Sequence, residues 1–265
     1  MSELQHWTGP GSREFWYYQA GTGRPLLFLH HMLGLQGFEP ALARLAETCE
    51  VIAPHAPGWG PAKDQLAEMD DGPLDITLHN TDVLDVLELE QVDVVGVSIG
   101  AWMAAELAAI RPERVRRLVL VNPLGLWIDG VEAVDPFAQH PGFPSRVLFA
   151  DPDGRKRYLF EGRDKLDAHV EELLNLRASA RFLWPLPDTG IKKRLHRIQA
   201  PTLIVTSEHD VIVPAAYGPA WCSELTDGHL TTLPDAGHLA ELEQPDAFSR
   251  MVVDFLQNGA AAAVA

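Results

Sequence analysis

Three short runs, Val92 to Val97, Arg117 to Val121 and Thr202 to Thr206, are nearly all apolar and rich in β-branched residues. An exposed strand alternates polar and apolar positions, whereas a strand covered on both faces does not, so these runs read as central strands of a mostly parallel sheet. Phe15 to Gln19, Leu26 to His30, Val51 to Ala53 and His229 to Leu233 add shorter strand-type runs. Helical periodicity falls between them, in Leu42 to Glu47, Ile76 to Leu89, Ile99 to Ile110, Pro214 to Leu225 and Asp246 to Gln257. Alternation of this kind predicts an α/β chain with helices on both faces of the sheet.

One stretch breaks the alternation. From Pro123 to about Arg197 no run reads as a strand, Asp151-Pro152-Asp153-Gly154 reads as a turn, and Leu166 to Ala180 has helical spacing. The stretch carries Trp127, Phe137, Phe143, Phe149, Phe160, Phe182 and Trp184. The expected organisation is a core of residues 1–122 and 198–265 with a helical cap of residues 123–197. An insertion after a strand's carboxyl end sits over the crevice where open α/β sheets bind ligands.

Gly96-Val97-Ser98-Ile99-Gly100 follows the strand at 92–97 and opens the helix at 99–110. A nucleophile on so tight a turn needs small flanking residues, and the turn lifts its hydroxyl above the sheet at a helix amino end. Ser98 is therefore the expected nucleophile. A serine hydroxyl needs a base. Of the 11 histidines, His238 lies in the loop after the last strand run, where an imidazole can reach Ser98. Asp210 lies past the end of the 202–206 run, while the strand at 117–121 ends in Asn122, which offers no carboxylate. Asp235 is close to His238 in sequence but belongs to a turn. The expected catalytic set is Ser98, Asp210 and His238. The amides of Ile99 and Met32 are the expected oxyanion-hole donors. Trp102 and Trp127 are candidate pocket walls, against core packing as the plainer alternative.

A net charge of −16 argues against nucleic acid as a partner, because phosphate neutralisation needs a basic surface. The clusters Arg155-Lys156-Arg157 and Lys192-Lys193-Arg194 read as solvated faces. Cys49 and Cys222 have no metal-ligand spacing, so no metal or cofactor is expected. No run approaches 18 apolar residues and the amino end lacks a leader pattern, which leads to the expectation of a cytoplasmic enzyme without a membrane span. Its partner is a small molecule; self-association stays open.

These marks together resemble the α/β-hydrolase fold family, in its capped esterase, carbon–carbon hydrolase and epoxide-hydrolase-like branch. The likeness rests on Phe28-Leu29-His30, on residues 52–60, on the Ser98 turn, Asn122-Pro123, Ala200-Pro201-Thr202, Asp210 with Val213-Pro214, and Gly237-His238. It implies a hydrolase, and serine in place of aspartate at the turn speaks against dehalogenase and epoxide chemistry. Ester hydrolysis of an apolar or aromatic substrate is the leading expectation. Carbon–carbon cleavage of a β-diketone or ring-cleavage product is the alternative. Some members of the likeness are non-hydrolytic ligand binders or cofactor-free lyases and oxygenases. Two departures stand out: His31 replaces a usual glycine beside the oxyanion loop, and His55 replaces a usual aspartate. His31 either faces the substrate or turns outward.

Overall fold

A computed structural model describes residues 2–9, 13–131, 133–137, 147–184 and 188–259. Phe143 and the end of the alanine-rich tail lie outside the described residues. Eight strands form one sheet: β1 (Leu4–Thr8), β2 (Glu14–Ala20), β3 (Arg24–Leu29), β4 (Cys49–Pro54), β5 (Val92–Val97), β6 (Val115–Val121), β7 (Thr202–Ser207) and β8 (Gly228–Leu233). Their order is β1-β2-β4-β3-β5-β6-β7-β8. β1/β2 and β2/β4 are antiparallel and every other neighbouring pair is parallel.

All six residues of β5 and of β7 are buried, which is why their sequences do not alternate. Side chains still alternate between two cores. Leu27, Leu29, Val92 and Val94 point to one, and Leu26, Phe28, Val95 and Val97 to the other. Helices α2 (Pro73–Val86) and α3 (Ile99–Ile110) cover the first face. Helices α1 (Pro40–Leu45) and α7 (Pro245–Asn258) cover the second. In α7 the buried residues Phe248, Val252, Phe255 and Leu256 recur at helical spacing and seat the helix.

β1 is absent from the sequence expectation. All five of its residues are exposed, so no burial pattern is written into Leu4 to Thr8; main-chain pairing with β2 at the sheet edge makes it a strand. Between β6 and β7 the chain forms a π-helical turn at Arg155–Phe160, the long helix α4 (Lys165–Leu183) and two short 3₁₀ turns. The Asp164 carboxylate caps α4 by accepting from the amides of Leu166 and Asp167. Near the carboxyl end, α5 (Tyr217–Ser223) is shorter than expected because hydrogen-bonded turns occupy Pro214 to Ala216. The short α6 (Ala240–Glu243) follows β8 and precedes α7.

Cys49 and Cys222 are both free thiols. Among the described residues no helix is long and apolar enough to cross a membrane.

Candidate active site

Ser98 sits between β5 and α3 with φ 59° and ψ −120°, a backbone state that non-glycine residues rarely adopt. The turn closes against close neighbours. A Cβ on Gly96 would lie 2.3 Å from the Gly100 carbonyl oxygen, and one on Gly100 would lie 2.1 Å from that of Leu29. Only glycine fits at both positions, and the approach of Gly100 brings the start of α3 against the end of β3.

The three residues expected to act together are together. The Ser98 hydroxyl donates to His238 Nε2 at 2.7 Å, and His238 Nδ1–H donates to Asp210 Oδ2 at 2.8 Å. Asp210 Oδ1 accepts the amides of Ile212 (2.8 Å) and Val213 (3.0 Å), which fixes the carboxylate plane. Carboxylate, imidazole and hydroxyl therefore line up across the ends of β5, β7 and β8, in three separate loops.

The His238 loop is held on both sides. Asn122 Nδ2 donates to the His238 carbonyl (2.9 Å) and to Ser207 Oγ (2.8 Å), while Asn122 Oδ1 accepts the Ser207 amide (2.9 Å). The sequence marks Asn122 as a strand-end residue without a carboxylate and as part of the family likeness, and its amide suits this three-way junction. The Glu243 carboxylate accepts the amides of Gly237 (2.7 Å), Ala150 (3.2 Å) and Asp151 (2.8 Å), and the Leu239 amide donates to the Leu148 carbonyl (3.1 Å). The residues on either side of His238 are thus tied to segment 148–151 of the insertion, Leu239 directly and Gly237 through Glu243. Nothing in the local sequence marks Glu243, because its partners are main-chain amides.

The loop after β3 is equally constrained. The Met32 carbonyl accepts Trp59 Nε1–H and Ser179 Oγ–H, each at 2.9 Å, and the Leu33 carbonyl accepts Asn175 Nδ2–H at 2.5 Å. Asn175 and Ser179 lie on α4, so the insertion helix clamps this loop. The Gly34 amide and His30 Nδ1–H both donate to the His31 carbonyl (3.0 and 2.8 Å). Among the described residues the amides of Met32 and Ile99 have no internal acceptor, Ile99 because it opens α3.

His31 is fully buried, with Nδ1 accepting the Leu33 amide at 3.1 Å. It does not turn outward. Trp102 is also fully buried; its indole N–H donates to Glu106 Oε1 (2.9 Å), and its ring packs near Phe182 and Gly125. Trp127 is 36% exposed, with its indole bonded to neighbouring Asp129. Arg194 is not a solvated cation: it binds the buried Glu106 through Nε (2.7 Å) and an Nη (2.5 Å), joining the insertion to α3.

Several histidines are buried beside this site. Loss of hydration drives His30 down to about 4, His55 and His79 to about 3, and His31 well below 6.5. His30 is neutral with its proton on Nδ1, and Nε2 accepts the Ala56 amide at 3.1 Å. His55, where the likeness has aspartate, is buried against Gly60 with neither ring nitrogen bonded. Burial raises Glu39 to about 7 and Glu241 well above 4.5. Below pH 6.5 the unfolded chain protonates all four imidazoles while the fold keeps them neutral, so stability is lost as pH falls toward 4. The two carboxyls act oppositely, costing stability as pH rises from 4.5 to about 7, because only the folded state keeps their protons. Four imidazoles outweigh these two carboxyls together with Asp93, whose carboxyl burial also raises. Urea unfolding should show stability falling between pH 6.5 and 4.5 by on the order of 2 kcal/mol per pH unit; a flat or rising profile would contradict this account.

Residues 9–251 match the Alpha/beta hydrolase family, and the chain belongs to it. It is 30% identical over 191 residues to a 2-hydroxy-6-oxononadienedioate/2-hydroxy-6-oxononatrienedioate hydrolase of Comamonas testosteroni, covering 67% of this chain and 66%, just under two thirds, of the relative. A 2-hydroxymuconate semialdehyde hydrolase of Pseudomonas sp. (strain CF600) is 27% identical over 274 residues, covering 93% of this chain and 92% of the relative. Among solved structures, a meta-cleavage product hydrolase from Pseudomonas fluorescens IP01 superposes with a TM-score of 0.76, covering 97% and 98% of the two chains at 20% identity. That likeness shows the fold, and the protein is a hydrolase of this family.

Proposed function

We propose that this chain hydrolyses a carbon–carbon bond beside a carbonyl group, in substrates of the ring-cleavage type, with Ser98 as nucleophile, His238 as general base and acid, and Asp210 orienting the imidazole. The observation that carries the reading is the continuous Ser98–His238–Asp210 hydrogen-bond series. Its tautomer leaves Nε2 free to take the hydroxyl proton. Ser98 Oγ adds to the carbonyl carbon, and the amides of Met32 and Ile99 receive the oxyanion. Collapse breaks the bond to the neighbouring carbon, which leaves with the electron pair and takes up a proton. Water then releases the acyl group from Ser98. The sum is one ketone and one water giving one carboxylic acid and one C–H product. Residues 123–197 act as the cap, with α4 holding the oxyanion loop through Asn175 and Ser179.

The relatives' names support this substrate class over the ester that the sequence expectation put first. Ester hydrolysis remains the second reading, on one observation. The relatives' named substrates are carboxylates, yet Arg163, Arg181 and Arg194 of the insertion are already paired, with Glu171, Asp70 and Glu106. Those three are engaged by protein carboxylates, and a neutral ester does not need them.

The two readings separate in one experiment. Purified protein is given 2-hydroxy-6-oxo-6-phenylhexa-2,4-dienoate and, separately, a p-nitrophenyl butyrate ester. The proposal expects kcat/KM for the dienoate to exceed that for the ester by at least about tenfold, a difference of some 1.4 kcal/mol in transition-state binding. Turnover of the ester alone would replace it with the second reading.

A further inference from the structure

Beside the proposed nucleophile lies a second imidazole–carboxyl pair that the chemistry above does not use. His31 Nδ1 accepts the Leu33 amide, so the ring proton is on Nε2. Nε2 has no bonded acceptor; Glu241 Oε1 faces it at 3.6 Å, and neither oxygen of Glu241 has another partner. Both side chains are wholly buried. Glu241 lies in the first turn of α6, three residues after His238, so a single short segment delivers both carboxyl and catalytic imidazole.

The bond made by His31 falls on a critical peptide. The Met32–Leu33 peptide is gripped at its oxygen by Trp59 and Ser179, and at its N–H by His31. The preceding peptide is gripped at its oxygen by Gly34 and His30. Fixing both planes sets the direction of the Met32 N–H, which has no acceptor among the described residues. A glycine at position 31 offers no side-chain acceptor for Leu33, so the histidine supplies a brace that the usual glycine cannot.

We propose that His31 and Glu241 are positioning residues: Glu241 holds the His31 ring in the tautomer whose Nδ1 accepts the Leu33 amide, and that bond aims the Met32 N–H at the oxyanion. This deepens the hydrolase reading and rests on it. Neither residue touches substrate, since both ring nitrogens of His31 face protein.

Three measurements test it. In the wild type, ¹⁵N shifts of the His31 ring are expected to show a bare Nδ1 and a protonated Nε2; the opposite tautomer overturns the proposal without any mutation. His31→Phe keeps bulk and removes the acceptor, whereas His31→Asn restores an oxygen that can accept the amide two residues on. His31→Phe should lower kcat about 10- to 100-fold, less than or comparable with outright loss of an oxyanion donor, with KM changed less than about threefold. Its Leu33 amide should exchange faster with solvent, and His31→Asn should recover most of both effects. Wild-type kcat in His31→Phe, or unchanged Leu33 exchange, overturns the proposal. If His31→Phe does not fold, the pair Glu241→Gln and Glu241→Leu decides, because glutamine keeps an acceptor for Nε2–H; equal loss of kcat in both overturns it. Failure of the underlying reading is distinguishable, since full turnover by a Ser98-lacking variant would end the hydrolase mechanism while Leu33 exchange still reports on the brace.

Discussion

Ser98→Ala is expected to lower kcat/KM for any substrate at least about 10⁴-fold, leaving only what binding and the oxyanion donors supply. The change removes one oxygen and little else. Alanine at φ 59° carries the same backbone strain as serine there, and α3 still packs through Gly100 against β3. The side chain is fully buried, so no surface property changes. His238 loses its partner on Nε2 but keeps the Asp210 bond that orients it. The unfolding free energy should therefore stay within about 1 kcal/mol of wild type. Steady-state kinetics with denaturant unfolding checks both halves. Activity above one part in a hundred, after contamination is excluded by a fluorophosphonate probe that labels only wild type, would remove Ser98 from the mechanism.

Much of the sheet and the elbow was legible because both carry strong local signals. An all-apolar six-residue run such as Val92–Val97 states its own burial, and glycines at 96 and 100 mark a turn where a Cβ has no room. Asp210 and His238 were legible for a related reason, since each follows a strand run whose carboxyl end points to the same crevice. What was not legible is tertiary. Leu4–Thr8 has no burial pattern and becomes a strand through its neighbour. Glu243, Asn175 and Ser179 act on main-chain groups far away in sequence, so their residue types predict nothing. Arg194 reads as a solvated cation until Glu106, buried on α3, is seen beneath it. His31 could be flagged as a departure, yet its burial opposite Glu241, 210 residues away, is tertiary.

Asp210→Asn separates orientation from charge and is expected to lower kcat by about 10⁴-fold with the fold intact. An asparagine has one oxygen and one NH₂ to place where aspartate has two oxygens. Oδ1 now accepts two main-chain amides, Ile212 and Val213, whereas Oδ2 accepts only His238 Nδ1–H. Turning the NH₂ toward two donors leaves three hydrogen-bond donors facing one another; turning it toward His238 leaves one conflict, which the ring relieves by moving its proton. The NH₂ therefore faces His238, Nδ1 becomes the acceptor, and the proton goes to Nε2. An imidazole with Nε2–H donates to Ser98 Oγ and cannot take its proton. The loss thus comes from the wrong tautomer, in a site whose geometry is nearly unchanged. Two readouts establish this: kcat falling while KM moves less than about threefold, and ¹⁵N shifts showing the His238 proton on Nε2. A variant with the proton still on Nδ1 and near-normal kcat would mean that His238 finds its orientation from the Asn122 and Glu243 contacts alone.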